Sequence, residues 1–339
     1  MALRRKDVYG HWAYYLLFTL FVAWWGVSLL WSKNVSEGVS QFIEYSLFII
    51  FSIIFVDVVR SRDRLKKASY AFLFGMILLM VIEIRMNMLT DFYIYGPDRL
   101  GQYLNGPNEF AYQVLVSVPV AWFLLFDTAE DELITKVFAL GHLSLATYAI
   151  FSSRSRARIG ILTFVIVLGL VLNGRSAIKR KYVLPLVGGI AAVSYVVRDT
   201  IFTVVDKIMT AFTPGKLGGS LQTRLDLYAS AYDYVLSNPL FGAGMGSVRE
   251  VLGGNESSYT LVGVEMGVVG LLLFVALLVY LSKGTLRRDG RTNMGLLLVV
   301  VVVLGSFFDP IINSLETWAV LAVVLVWNRS LAAEHETKF

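Results

Sequence analysis

The sequence predicts an all-α fold: a polytopic transmembrane helical bundle of about ten spans. Three observations predict it. Of 339 residues, 56% are hydrophobic and only 16% are charged. Mean hydropathy is +0.65. Apolar runs close to the roughly 20 residues that cross a bilayer recur along the whole chain. A soluble domain of this size needs more polar surface. A single membrane domain, 1–339, is therefore expected rather than several soluble ones.

The spans fall at 12–31, 42–59, 69–88, 109–126, 136–152, 159–173, 182–198, 259–282, 293–312 and 315–328. No small-residue cleavage pattern follows the first, so it reads as a span and not as a signal peptide. Lys and Arg set the orientation. Arg4, Arg5 and Lys6 open the chain, and Arg60, Arg62, Arg64, Lys66 and Lys67 follow the second span. Arg175, Lys179, Arg180 and Lys181 follow the sixth, and Lys283, Arg287, Arg288 and Arg291 the eighth. With ten alternating spans these loops share one side, which places both termini in the cytoplasm. The loop at 127–135 is acidic and falls inside too, but acidic residues weigh little in this rule.

Two extracytoplasmic segments stand out. The first, 89–108, is rich in Gly, Pro and Tyr. The second, 199–258, is the longest loop. Its opening places Ile201, Val204, Ile208 and Phe212 on one helical face, as in a helix lying along the membrane surface. After a Gly/Pro-rich break, Ser220 is placed to cap a helix through Ser237. Asn238-Pro239 ends that helix, and the glycine-rich FGAGMGS follows.

Composition removes several classes of function. The chain has no cysteine, so disulfides, thiolate metal sites and cysteine nucleophiles are excluded. Its three histidines are scattered, which argues against a histidine metal cluster. The net charge of +5 reflects basic cytoplasmic loops and not a nucleic-acid surface, because no basic stripe lies on a polar domain.

The sharpest anomaly is SSRSRAR, with Arg154, Arg156 and Arg158 at the extracytoplasmic end of the fifth span. Arginines there oppose the positive-inside trend and need anionic partners if buried. Snorkelling gives the same pattern. The functional reading is an anion site, since the planar guanidinium fork suits a pyrophosphate. Arg224 lies near the start of the loop helix, where the helix field favours anions, though an ordinary surface arginine reads the same way. Glu256, within Asn255–Tyr259 just before the eighth span, has the chemistry of a general base toward a sugar hydroxyl, or of a solvated loop carboxylate. Arg99 in RLGQYLNGPNEF suits a sugar or phosphate contact, or a simple turn. Gly242, Gly244 and Gly246 permit close backbone approach. Glu83, Arg85, Glu109, Glu265, Asp309 and Glu316 fall in or near apolar runs, where charges face a cavity or a partner. Glu83 and Arg85, two apart, do not share a helix face and need other partners. Glu265 reads as structural more readily than as catalytic.

Four of these pieces, in order, resemble motifs of the O-antigen ligase and polysaccharide polymerase superfamily. They are RLGQYLNGPNEFAY, SSRSRARIGIL, TRLDLYASAYDYVLSNPLFGAGMGS and NESSYTLVGVEMGVVGLLLF. Members of that superfamily are integral membrane glycosyltransferases. Its ligases carry His-Asn at the start of the last motif. Here Glu256 and Ser257 stand in those places, which is similar to polymerases that extend O-antigen or exopolysaccharide.

The resemblance implies a polymerase in the bacterial cytoplasmic membrane, acting on its extracytoplasmic face without cofactor or metal. It would move a glycan from undecaprenyl pyrophosphate to the non-reducing end of another lipid-linked repeat unit, with inversion. Arg224 and Glu256 would be catalytic. Arg156, ahead of Arg154, with Arg99, Arg158 and Tyr259, would bind substrate and pyrophosphate. Membrane lipid and a chain-length regulator are the other partners implied. Two alternatives stay open: a ligase delivering glycan to lipid A-core or another acceptor, and a flippase or transporter for lipid-linked sugars with no chemistry.

Overall fold

A computed structural model describes residues 12–89, 99–103, 106–126, 133–173, 219–255, 257–283, 285 and 293–336. Among the described residues every regular element is helical and none is a strand. The helices are α1 (Trp12–Ser28), α2 (Val35–Val58), α3 (Arg62–Leu89), α4 (Pro107–Phe126), α5 (Leu133–Ser152) and α6 (Arg156–Asn173). They continue as α7 (Gly219–Ser237), α8 (Val248–Leu252), α9 (Ser258–Lys283), α10 (Met294–Phe308) and α11 (Leu315–Glu336).

Five of these, α2, α3, α4, α5 and α9, are long and apolar enough to cross a membrane. Tyr15–Trp31, Met294–Phe308 and Leu315–Asn328 are shorter apolar helical stretches. The chain is thus an all-α protein built for a membrane. The expected span at 182–198 and the expected surface helix at 201–212 lie outside the described residues. The loop helix expected from Ser220 begins one residue earlier, at Gly219.

Side-chain exposure follows the membrane reading. Ile43, Leu47, Ile50 and Ile54 lie along one face of α2 and are all exposed. In α3, Phe74, Leu78, Val81 and Ile82 are exposed while Leu65, Leu73, Met76 and Met80 are buried. A bare aliphatic face of this length is unfavourable in water and ordinary against lipid tails.

The described residues pack as two compact units. One is drawn from Met1–Ile54, Gly219–Gly284 and Ser306–Leu321, the other from Phe55–Gly218, Thr285–Gly305 and Ala322–Phe339. In the first, α1 and α7 both pack on α9. Its core is aromatic: Phe21 sits 5.2 Å from Trp25 and 5.9 Å from Phe274, and Phe18 lies 5.1 Å from Trp318, ring centre to ring centre. Tyr45 stacks 4.3 Å from Trp25 and donates a 2.5 Å hydrogen bond to Asn313 Oδ1.

In the second unit α4 is the central helix. It packs against α3, α5 and α6, and its side chains from Phe110 to Leu125 are buried. Pro119 sits inside it and has no N–H to give the helix ladder. Two residues before it, Ser117 Oγ lies 2.7 Å from His142 Nε2 of α5, while His142 Nδ1 is buried without a partner among the described residues.

Candidate functional site

The first unit holds an unusual joint between the Asn-Pro-glycine loop and α9. Gly267 interrupts α9 with φ +66° and ψ −167°. A break inside an apolar helix strands backbone groups that must find partners. Here the loop supplies them. Ala243 N donates to Val264 O at 2.7 Å, and Gly244 N to Glu265 O at 2.9 Å. Val268 N donates to Pro239 O at 2.7 Å. Trp24 Nε1 donates to Met266 O at 3.0 Å.

The approach is backbone on backbone, which is why both sides are glycine. A Cβ on Gly267 would lie 2.4 Å from Leu240 O, and one on Gly242 2.5 Å from Val264 O. Gly244 and Gly246 press in the same way on Ser32, between α1 and α2, and on Gly38 in the first turn of α2. Hydrogen bonds hold that contact: Ser32 Oγ donates to Met245 O at 2.7 Å, and Lys33 N to Ser247 Oγ at 2.8 Å. The close approach expected of these glycines is therefore present, and their partners are now known.

Glu265 serves the same joint. It is fully buried, its Oε1 accepts Val248 N at 3.2 Å at the start of α8, and the Trp25 indole lies against it. It fixes backbone, in keeping with a structural reading.

The start of α9 is pinned as tightly. Ser258 N and Oγ both donate to Asp309 O at 3.2 Å, and Ser257 Oγ donates to Ser306 O at 2.9 Å. Asn255 Oδ1 accepts Ser257 N at 3.2 Å and Thr260 Oγ1 at 2.7 Å. Glu256 stands between these residues and lies outside the described ones. Tyr259 is half-buried, its ring 4.6 Å from Phe307 and 5.8 Å from Phe274. Arg224 is half-buried on α7, one turn before Tyr228, whose hydroxyl donates to Phe307 O at 2.6 Å.

The second unit brings together two further segments singled out in the sequence. Arg99 Nε donates to Ser153 O at 2.7 Å, and Leu100 N to Ser152 O at 3.1 Å. Glu83, fully buried on α3, fixes the far side of the same loop: its Oε1 accepts Gly101 N at 2.7 Å and Tyr103 N at 3.3 Å. Its partners are backbone amides.

The three arginines of SSRSRAR have different fates. Arg154 adopts φ +54°, the left-handed region that side chains with a Cβ rarely enter. It is half-buried, and its buried Nε has no hydrogen-bond partner among the described residues. Arg156 is the first residue of α6 and is exposed. Arg158 is fully buried, its guanidinium 5.3 Å from the centre of the Tyr112 ring. The ring face offers that cation a favourable contact, and burial takes the charge away from solvent.

Sequence reasoning passed over one feature. The polar run SKNVSEG between the first two spans contributes Asn34 and Glu37 to a cavity of about 270 Å³ in the first unit. Gln41, Arg249, Asn255 and Asn313 also line it. The signal was a cluster of polar residues between two spans, next to no recognisable motif. Among the described residues no group of three or more His, Asp or Glu is arranged to hold a metal ion.

This is the anatomy of a helical membrane protein whose polar loops are fixed to broken or capped helix ends. Residues 142–275 match the family model described as O-antigen ligase. That stretch contains the Ser-Arg turn, the Arg224 helix, the Asn-Pro-glycine loop and the Gly267 break, and it supports placement in the O-antigen ligase and polymerase superfamily. Arg99 and the Asn34–Gln41 segment lie outside the matched residues. No curated protein matches the chain.

Proposed function

We propose that the protein is a polysaccharide polymerase, joining glycan units carried on undecaprenyl pyrophosphate at the extracytoplasmic face of the cytoplasmic membrane. The family match supports glycan transfer between a lipid carrier and an acceptor. The observation that carries the choice of polymerase is Glu256-Ser257 where ligases of the superfamily have His-Asn.

The chemistry is a single inverting displacement. The acceptor hydroxyl oxygen forms a bond to the donor's anomeric carbon. The bond from that carbon to the diphosphate oxygen breaks, and its electron pair leaves with the polyprenyl diphosphate. The hydroxyl proton passes to the Glu256 carboxylate. Negative charge develops on the leaving oxygen, and Arg224 supplies the counter-charge.

Within the Ser-Arg turn of the second unit, Arg154 is the stronger candidate for gripping a phosphate. Its left-handed backbone is a strained state of the sort that persists where surrounding structure over-determines it, often at functional sites. Arg99, joined to Ser153, holds the turn in place. Arg158 is committed to Tyr112, and Arg156 is exposed.

Purified protein supplied with a synthetic lipid-linked repeat unit is expected to give a ladder of longer glycans and free polyprenyl diphosphate. Absence of any glycan longer than the supplied unit would refute the polymerase reading. The family description itself favours a second reading, a ligase that delivers finished glycan to another acceptor. Deletion in the host separates the two. Loss of a polymerase leaves the acceptor core with one repeat unit, and loss of a ligase leaves it bare.

A further inference from the structure

The cavity beside the start of α2 has features that the transferase reading does not use. It measures about 270 Å³, below the roughly 300 Å³ at which pockets for drug-sized ligands begin. That is space for one sugar ring, and too little for a prenyl chain or an oligosaccharide.

Its lining mixes polar side chains with apolar ones such as Val248 and Leu261, as a sugar ring with polar edges and apolar faces requires, and it carries both signs of charge. Asn34, Glu37 and Gln41 come from the beginning of α2 and the segment before it, Arg249 and Asn255 from either side of Gly253, and Asn313 from the segment before α11. These side chains are held by one another. Glu37 N donates to Asn34 Oδ1 at 3.1 Å, and Gln41 Nε2 to Glu37 Oε1 at 3.1 Å. Asn34 Nδ2 reaches Glu250 at 2.5 Å, and Asn313 Oδ1 is fixed by Tyr45.

Two lining atoms are left over. Gln41 Oε1 and Asn255 Nδ2 are buried and have no hydrogen-bond partner among the described residues. One is an acceptor and the other a donor, and burying either without a partner is unfavourable. A hydroxyl group answers both, since it donates to the first and accepts from the second. Glu37 and the Glu250 bonded to Asn34 outnumber Arg249 around the cavity, which disfavours an anion and suits a neutral polyol.

We propose that this cavity is the subsite for the terminal, neutral sugar of the acceptor glycan, with Gln41, Glu37 and Asn255 as positioning residues. The inference rests on the transferase reading above, and the choice of acceptor over donor rests on Asn255 preceding Glu256.

The test uses the full chain in lipid nanodiscs. The probe is the lipid-free oligosaccharide released by mild acid from the host's polyprenyl-diphosphate-linked units. Saturation-transfer NMR is expected to show contact concentrated on the non-reducing terminal ring. Gln41→Leu should weaken that binding about five- to tenfold, the effect of losing one hydrogen bond. It should raise KM for the acceptor by a similar factor and leave kcat within about twofold. Lys67→Ala, in an exposed pair with Asp63, should change neither. If Gln41→Leu lowers the unfolding midpoint, Asn255→Asp, which keeps the size and removes the donor hydrogens, takes its place with the same expected loss. Wild-type protein that shows no saturation transfer, or variants that bind and elongate like wild type, overturn the subsite. Oligosaccharide that binds as described to a protein making no polymer overturns the polymerase reading and leaves the sugar site standing.

Discussion

Tyr228 of α7 donates a 2.6 Å hydrogen bond to the carbonyl of Phe307, and the Phe307 ring in turn lies 4.6 Å from that of Tyr259. The helix bearing Arg224 is thereby tied, one turn from that arginine, to the segment that follows Glu256. Tyr228→Phe removes the tie and keeps the ring. The expected loss of stability is about 1 kcal/mol, the net worth of one hydrogen bond. Catalysis should fall further than stability, about tenfold or more, because misplacing a positioned group is felt steeply in rate. Thermal unfolding and initial rates on the same preparation check both numbers.

The Gly267 break predicts a strong asymmetry among glycine substitutions. Gly267→Ala meets a positive φ and a carbonyl oxygen at 2.4 Å, so α9 and the loop cannot keep their joint. Destabilisation of roughly 3 kcal/mol or more is expected. Gly75→Ala in α3 meets open space and should be neutral or stabilising by about 0.5–1 kcal/mol. Unfolding in detergent, followed by size-exclusion chromatography, measures the difference.

Arg154 allows its backbone and its charge to be separated. Arg154→Gly relieves the left-handed strain, worth about 1–2 kcal/mol, and deletes the guanidinium. The protein should be at least as stable as wild type and nearly inactive. Arg156→Ala, at an exposed position, should be milder in activity. A stable and fully active Arg154→Gly protein would remove Arg154 from the site.

Glu83 predicts a purely structural phenotype. Glu83→Ala leaves the amides of Gly101 and Tyr103 without their acceptor. Each buried orphan costs about 1–3 kcal/mol, so faster proteolysis near Arg99 and a lower unfolding midpoint are expected. Glu83→Gln keeps one acceptor oxygen and should recover much of the loss.

Much of this arrangement is legible in the sequence, for a physical reason. Lipid demands long, nearly unbroken apolar helices, so the runs that became α4, α5 and α9 mark themselves within a few residues, while α2 and α3 begin at Val35 and Arg62, ahead of the expected 42 and 69, because their first turns are polar. Turn chemistry marks the end of α7 at Asn238-Pro239 equally well. The Gly267 break was hidden because Gly267 sits in an apolar run that reads as one helix. Its cause is about 25 positions upstream, in the Pro239–Gly244 loop, whose partners no local pattern reveals. The arginines of SSRSRAR look alike in sequence. They separate only when α6 begins at Arg156 and turns Arg158 inward onto Tyr112. The cavity beside Gln41 was invisible because its lining joins the start of α2, with Asn34, to segments more than 200 residues further along, with Arg249 and Asn313.

The central claim is that Arg224 and Glu256 serve one chemical step, glycan transfer off a lipid diphosphate. The most direct measurement is turnover of a synthetic lipid-linked repeat unit by purified wild-type, Arg224→Ala and Glu256→Gln proteins, reading glycan length and released polyprenyl diphosphate together. The account predicts a ladder with stoichiometric diphosphate release from wild type, and losses of at least about a hundredfold from either folded variant. Ladders of wild-type length and rate from folded Arg224→Ala or Glu256→Gln would contradict it.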